Sequence, residues 1–578
     1  MMSRKIWIVL ILACGLNACQ ISQQTKKQVI QVVAVKKDSQ LTCDDVVDRC
    51  ALASPYQEVF EASLADGRNR AQLIDQGSDA LAIRLHLIRS AKKSINIQTF
   101  IWVNDDAGHL MIRELLAAAK RGVKVRVIID QMFSMGSSRF VAEISTLHEN
   151  LSFKMYNPVF GEAHTSPFDF VSALACCLAN TNKRMHNKVF AVDGQYGIVG
   201  GRNYQSRYYD WDEAFNYKDR DVLAIGPEVE KMVVSFDSFW GSKHVIPTEF
   251  LMDVSQRILS GNLTHHDWEK PYDAKAMIKV RQATNIKAIK ESWLTEVIAV
   301  NQLDFFSDTH DKPFNKASRK SNKQLTERIN KLIYSTEYKL LMQTPYLVFS
   351  KKARKILKKL RKRKPDYELT VSTNSLASTD AFYVYAISFK YKRFYLKQLG
   401  MNIHEFRGQP ADWVKFFSFG QINEKTRFGM HSKSFVVDDR YAMIGSHNFD
   451  PRSDYLNTEA GFIIDSEIFA EKLTKNINRD MLNKNSWRVA AKEQIPFFSD
   501  VSGLLATISR KLPILDIWPF RYATSFELKE GHQEVSPKHA DFYKNYDAVG
   551  NFPDVNLPLK QIQTIIISAF AGFAEPVM

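Results

Sequence analysis

The sequence predicts an α/β protein of two homologous halves, each a mixed sheet flanked by helices, joined as an internal pseudo-dimer around one shared site. Three observations carry this. The string H-x-K-x4-D-x6-G-[GS]-x-N occurs twice, from His186 to Asn203 and from His431 to Asn448. The segments flanking it repeat at the same distance: Gln98 stands 245 positions before Gln343, as His186 does before His431. Apolar strand-like runs alternate with periodic helical stretches in both copies, the pattern of helices packed on a sheet. At 578 residues and 45% hydrophobic content, the chain is long and apolar enough for two packed cores, which excludes a disordered protein.

The elements follow in order. Residues 95–100 and 340–346 read as equivalent strands. A basic helical stretch comes next, at 115–121 and 351–364, and then an apolar strand at 123–130 and 367–374. Residues 186–193 and 431–438 are rich in β-branched and aromatic residues and read as strands. A short strand (196–199 and 441–444) and a glycine turn close each motif, and Asn203 and Asn448 follow.

In a strand, residues i and i+2 face the same side, so His186 with Lys188 and His431 with Lys433 are expected to project into one pocket. Asp193 and Asp438 belong to the motif and are counted with the catalytic set, although their parity points them toward tying down the strand's far end. Asn203, Asn448, Gly201 and Ser446 are candidate phosphate-binding groups. A pocket of two imidazoles, two ammonium groups and two amides suits a phosphodiester. Lysines neutralise the non-bridging oxygens, one histidine attacks phosphorus, and the other protonates the leaving alkoxide. No metal or other cofactor is expected, since the sequence shows neither H-E-x-x-H nor paired C-x-x-C. A nucleophilic imidazole needs an acid on its other nitrogen, and Asp221 and Glu459, each just before an apolar strand, are the expected orienting residues.

The paired motifs resemble the phospholipase D superfamily. The segments His447-Asn448-Phe449-Asp450-Pro451-Arg452-Ser453, 456–462, 215–221 and 373–380 resemble its bacterial cardiolipin synthase branch, and the likeness covers roughly residues 75 to 490. The resemblance implies phospholipase D-like halves and phosphatidyl transfer through a phosphohistidine, most simply cardiolipin formation from phosphatidylglycerol. It also implies that the first-half histidine, His186, is the nucleophile and His431 the acid and then base; the residues alone do not order the two. Hydrolytic phospholipases and nucleases share the motif, so the acceptor stays open. A surface-binding lipoprotein without activity is the non-enzyme alternative. Pocket shape at Tyr204, Gln205, Tyr346 and Phe449 is expected to choose the acceptor.

At the amino terminus, Arg4-Lys5 precede an apolar stretch over 6–16, the length of a secretory signal. Leu16-Asn17-Ala18-Cys19 resembles a lipobox, with Cys19 lipidated, Cys14 a second candidate, and an uncleaved inner-membrane anchor the alternative. The expected division is a signal peptide (1–18), a tether (19–55), half 1 (56–254), a connector (255–335), half 2 (336–490) and an extension (491–578) of unassigned role. The expected product is a monomeric, periplasm-facing lipoprotein of a Gram-negative bacterium, at the outer membrane, with Cys43 and Cys50 able to pair. Its expected partners are a phospholipid substrate and a membrane surface. The net charge of +15 is concentrated in the basic helix at 351–364, which suits anionic lipid or nucleic acid or is simply a solvated face. The lipobox decides against nucleic acid, by placing the chain where lipid is abundant.

Overall fold

The computed structural model describes residues 21–42, 51–132, 136–164, 178–314, 324–412, 425–492 and 522–555. Cys19, Cys43, Cys50, Cys176, Cys177, the signal segment and the apolar run at 562–573 lie outside these residues. Two large sheets carry the molecule. In the nine-stranded first sheet the strands lie in the order Val245–Pro247, Leu151–Tyr156, Lys124–Asp130, Ser94–Thr99, Val189–Val192, Tyr196–Gly200, Asp221–Ile225, Arg70–Ile74 and Ile298–Ala299.

The ten-stranded second sheet repeats the central six in the same order: Asn402–Phe406, Glu368–Asn374, Lys339–Gln343, Ser434–Val437, Tyr441–Gly445 and Ala460–Asp465. In each, the first three strands pair in parallel and the rest antiparallel. The mixed α/β pseudo-dimer expected from the repeat is what forms.

Strand alternation divides each sheet between two cores. Phe190, Val192, Ile95 and Ile97 pack under the helices Gly77–Ser90 and Asp106–Lys120. Val189, Ala191, Val199 and Val222 turn the other way, onto Val436, Ala442, Ile444 and Phe462 of the second half. The halves therefore meet sheet face to sheet face, and the alternating apolar residues of the motif strands build the interface. Two short parallel pairings lace across it: Arg184–Met185 with Asn457–Thr458, and Phe215–Lys218 with Arg427–Met430.

Two expectations change. The His-x-Lys triplets lie outside the ladders, which begin at Val189 and Ser434. The segment expected as a tether contains a helix, Gln23–Lys36, whose Val29 and Val33 are buried in the first core. Two valines four positions apart make a narrow apolar stripe, enough to dock a helix whose remaining faces are polar. The basic stretch does form a helix, Lys351–Arg363, started by Ser350 accepting the Ala353 N–H; Leu357 and Leu360 are buried while Lys351, Lys352, Lys355, Lys358, Lys359 and Lys362 stand in solvent.

Candidate active site

His186 and His431 line one cavity of about 460 Å³ at the interface between the halves. The strand ends position them. The Asp130 carboxylate accepts the Met185 N–H at 2.8 Å, and the His186 N–H donates to the Thr458 carbonyl of the opposite half at 2.9 Å. The His431 N–H donates to the Lys218 carbonyl at 2.7 Å, again across the interface.

Each imidazole is oriented by a carboxylate from the other half. His186 Nδ1 is 2.8 Å from Glu459 Oε2, and His431 Nδ1 is 2.6 Å from Asp219 Oδ2. Glu459 was expected; its first-half counterpart is Asp219, not Asp221. Asp221, fully buried, instead pairs with Arg84 at 2.9 Å and Arg202 at 3.2 Å and takes no part in the cavity. Asp219 lies in the two-residue link between the strands Phe215–Lys218 and Asp221–Ile225, whereas Asp221 opens the second of them, so a slip of two residues in aligning the halves separates a histidine partner from a core ion pair.

Burial, the largest influence on each, disfavours the charged form of both histidines and lowers their pKa, while Glu459 and Asp219 act against it. The two carboxylates are themselves held below the ordinary range by the neighbouring positive groups, in spite of their burial. Each pair therefore rests as a neutral imidazole donating Nδ1–H to a carboxylate, which leaves an unprotonated Nε2 to attack or to take up a proton; at His431 this nitrogen faces Lys433 Nζ at 3.1 Å.

Lys188 and Lys433 sit beneath the histidines. Lys188 Nζ donates to the His186 carbonyl at 2.8 Å and lies 5.2 Å from the Phe100 ring centre; Lys433 Nζ lies 2.8 and 3.1 Å from the two ring nitrogens of His431. Burial brings Lys188 down to about 7, with Glu459 opposing and Lys433 adding, and Lys433 to about 8, against Asp219 and Asp380. Since kcat/KM reports the free enzyme, it should fall above about pH 7 to 8 as these ammonium groups lose the protons that neutralise a phosphodiester. kcat should hold to higher pH, because bound phosphate raises both lysines. Parallel pH profiles check this, and a kcat/KM flat to pH 9 would contradict it.

The other predicted residues divide. Asn203 and Asn448 line the cavity. Asn203 is committed within the fold, accepting from the Ile101 N–H at 3.1 Å and donating to the Tyr208 hydroxyl at 2.9 Å, whereas Asn448 Oδ1 is buried without a partner. Gly201 and Ser446, expected on the phosphate, do not line the cavity: the Ser446 hydroxyl donates to Glu459 Oε2, and a side chain at Gly201 would collide with the Asp219 carboxylate. Equivalent positions thus solve one problem twice, a hydroxyl gripping the longer side chain and a bare Cα making room for the shorter one.

Asp193 and Asp438, placed by motif in the catalytic set, are structural. Both take positive φ, and each carboxylate accepts three successive backbone N–H groups, of Lys92, Lys93 and Ser94 and of Glu337, Tyr338 and Lys339, at 2.8–3.0 Å. Asp193→Ala should lower stability by about 1–3 kcal/mol through unpaired amides, while turnover per folded molecule stays near the parent value; denaturation midpoints and active-site-normalised rates check this.

Of the four residues expected to shape the pocket, Gln205 and Tyr346 line it. Tyr204 stacks on Trp102 and Phe449 packs beside Phe435, both buried. The cavity also uses residues the sequence did not single out: Tyr208, Tyr217, Asp380, Asp450, Arg452 and Asn457. Tyr217, Asp380, Asp450, Arg452 and Asn457 lie inside segments carrying the family resemblance, but nothing local marked Tyr208.

The family model described as "Cardiolipin synthase, PLD-like domain" matches residues 85–240 and 329–481. Cardiolipin synthase C of Escherichia coli (strain K12) is 30% identical over 407 residues, covering 70% of this chain and 82% of that protein. An uncharacterised protein of Helicobacter pylori (strain ATCC 700392 / 26695) is 30% identical over 428 residues, covering 73% and 81%. Cardiolipin synthase B of Escherichia coli (strain K12) is 24% identical over 457 residues, covering 74% and 87%. The chain belongs to the phospholipase D superfamily, in its cardiolipin synthase-like branch.

Proposed function

We propose that the protein is a phosphatidyltransferase acting on membrane phospholipids through a phosphohistidine, forming cardiolipin from phosphatidylglycerol. The observation that carries the reading is the pair of neutral, carboxylate-oriented imidazoles in one cavity, each buttressed from the opposite half. His186 Nε2 attacks phosphorus, the head-group P–O bond breaks, and His431, which takes up a proton on Nε2 when the anionic phosphodiester binds, passes that proton to the departing alkoxide. The acceptor hydroxyl then attacks phosphorus, gives its proton to His431, and the P–N bond breaks to restore His186. Lys188 and Lys433 carry the phosphoryl charge, and Glu459 stabilises the cationic phosphohistidine.

The same reading places the chain at the periplasmic face of a membrane, anchored through a lipid on Cys19, with the exposed basic face of the helix Lys351–Arg363 toward anionic head groups. Among the described residues no helix is long and apolar enough to cross a membrane. The test is chromatography of the lipid products after the full-length protein meets phosphatidylglycerol vesicles in chelator. Cardiolipin is the expected product. Phosphatidic acid alone would make the protein a hydrolase, and unchanged lipid would refute the reading.

A further inference from the structure

Apolar and polar residues share the cavity lining. Phe100 meets the His186 imidazole edge at 5.0 Å, and Ile101, Val103 and Met132 line the same cavity. Around His431 stand Tyr208 and Tyr217, with ring centres 5.2 and 5.1 Å from the imidazole, and beyond them Asp380. Both Asp380 oxygens are held by phenols: Tyr217 donates to one at 3.1 Å and Tyr346 to the other at 2.9 Å.

An exposed aspartate before a helix ordinarily caps it, but the helix Phe382–Leu399 takes no side-chain cap. Nor does a lysine or arginine among the described residues pair with Asp380. A carboxylate facing a phosphodiester site repels the phosphate, so its useful contact is with a group that donates. Each oxygen keeps lone-pair capacity beyond its tyrosine.

We propose that Asp380, aimed by Tyr217 and Tyr346, is a subsite for the free hydroxyls of a polyol, gripping the leaving head group in the first step and the acceptor alcohol in the second. This deepens the function proposed above and rests on it for the natural substrate. Its position follows from the chemistry: the group that leaves and the group that enters exchange a proton with the same acid–base, here His431. The acceptor's primary hydroxyl attacks phosphorus and yields its proton to His431 as the P–N bond breaks. A neighbouring hydroxyl donates to Asp380 and does not react. The apolar wall at Phe100 and Met132 is left for the diacylglyceryl part, an assignment that makes His186 the nucleophile.

The test uses bis(p-nitrophenyl) phosphate as donor with glycerol or 1-propanol at equal concentration as acceptor, and counts the glyceryl and propyl esters formed. The full-length protein should favour glycerol by about tenfold, the value of one hydrogen bond to a charged group. Asp380→Asn should bring that ratio toward one, and Tyr346→Phe, which removes one of the aiming hydroxyls, should bring it partway. A merely structural Asp380 would lower both esters in parallel and leave the ratio where it was, which overturns the proposal. So would a parent ratio near one, or no alcohol ester at all, neither of which depends on a variant folding. Because the donor is a simple phosphodiester, these outcomes stay separate from whether vesicle phospholipid is the natural substrate.

Discussion

Replacing His186 or His431 is expected to lower head-group transfer at least about 10³-fold with the fold preserved, since the proposed mechanism gives one imidazole the covalent bond and the other the proton. Alanine at 186 leaves the buried Glu459 carboxylate without the ring it faces, and alanine at 431 does the same to Asp219. His→Asn variants, which keep a donor on that side, are therefore the companions of choice. Circular dichroism and thermal denaturation report the fold, and vesicle chromatography reports transfer. The two variants should differ in one respect: His431→Asn should still accept a phosphoryl group from an activated p-nitrophenyl diester, whose leaving group needs no proton, and His186→Asn should not. Substantial transfer by either variant on phospholipid would refute the two-histidine mechanism.

Two aspartates only two positions apart should behave in opposite ways. Asp219→Asn keeps the volume but presents an amide to His431, so the tautomer with a free Nε2 loses its anchor; turnover should fall by about 10² to 10⁴ with the melting temperature little changed. Asp221→Asn leaves the Arg84 and Arg202 guanidinium groups buried opposite a neutral side chain, and should cost about 3–5 kcal/mol of stability. The folded fraction should keep its activity. Measuring rate and unfolding midpoint for both separates the roles. Equal rate losses at unchanged stability would mean the carboxylate assignment is wrong.

The same geometry explains why disruption of either half should silence both histidines. The orienting carboxylates are exchanged across the interface, as are the carbonyls of Lys218 and Thr458 that fix the histidine backbones. Neither His186 nor His431 finds its orienting carboxylate in its own half.

Much of this was legible in the residue string. The repeat announced two halves because a duplicated fold keeps its spacing, and six central strands of each sheet match in order. The histidines, lysines and asparagines declared a phosphodiester site through their chemistry alone. Glu459 was legible because Asn457-Thr458-Glu459 stands directly before an apolar strand and offers a single acid. In the first half, Asp219-Arg220-Asp221 offers two of the same parity, and the sequence cannot say which one reaches a histidine until the interface is built.

The sequence by itself determined the fold class, the duplication, the candidate reacting groups and the family, because these depend on periodicity and residue chemistry along the chain. Only the tertiary structure decided the exchange of Asp219 and Glu459 between halves and the removal of Asp193, Asp438, Gly201 and Ser446 from the reacting set. It alone also gathered Tyr208, Tyr217, Tyr346 and Asp380 beside His431. Those facts depend on which sheet faces meet. A contact between residues some 270 positions apart, such as His186 with Glu459, is fixed by burying both sheet faces at once and leaves no periodic trace in either segment.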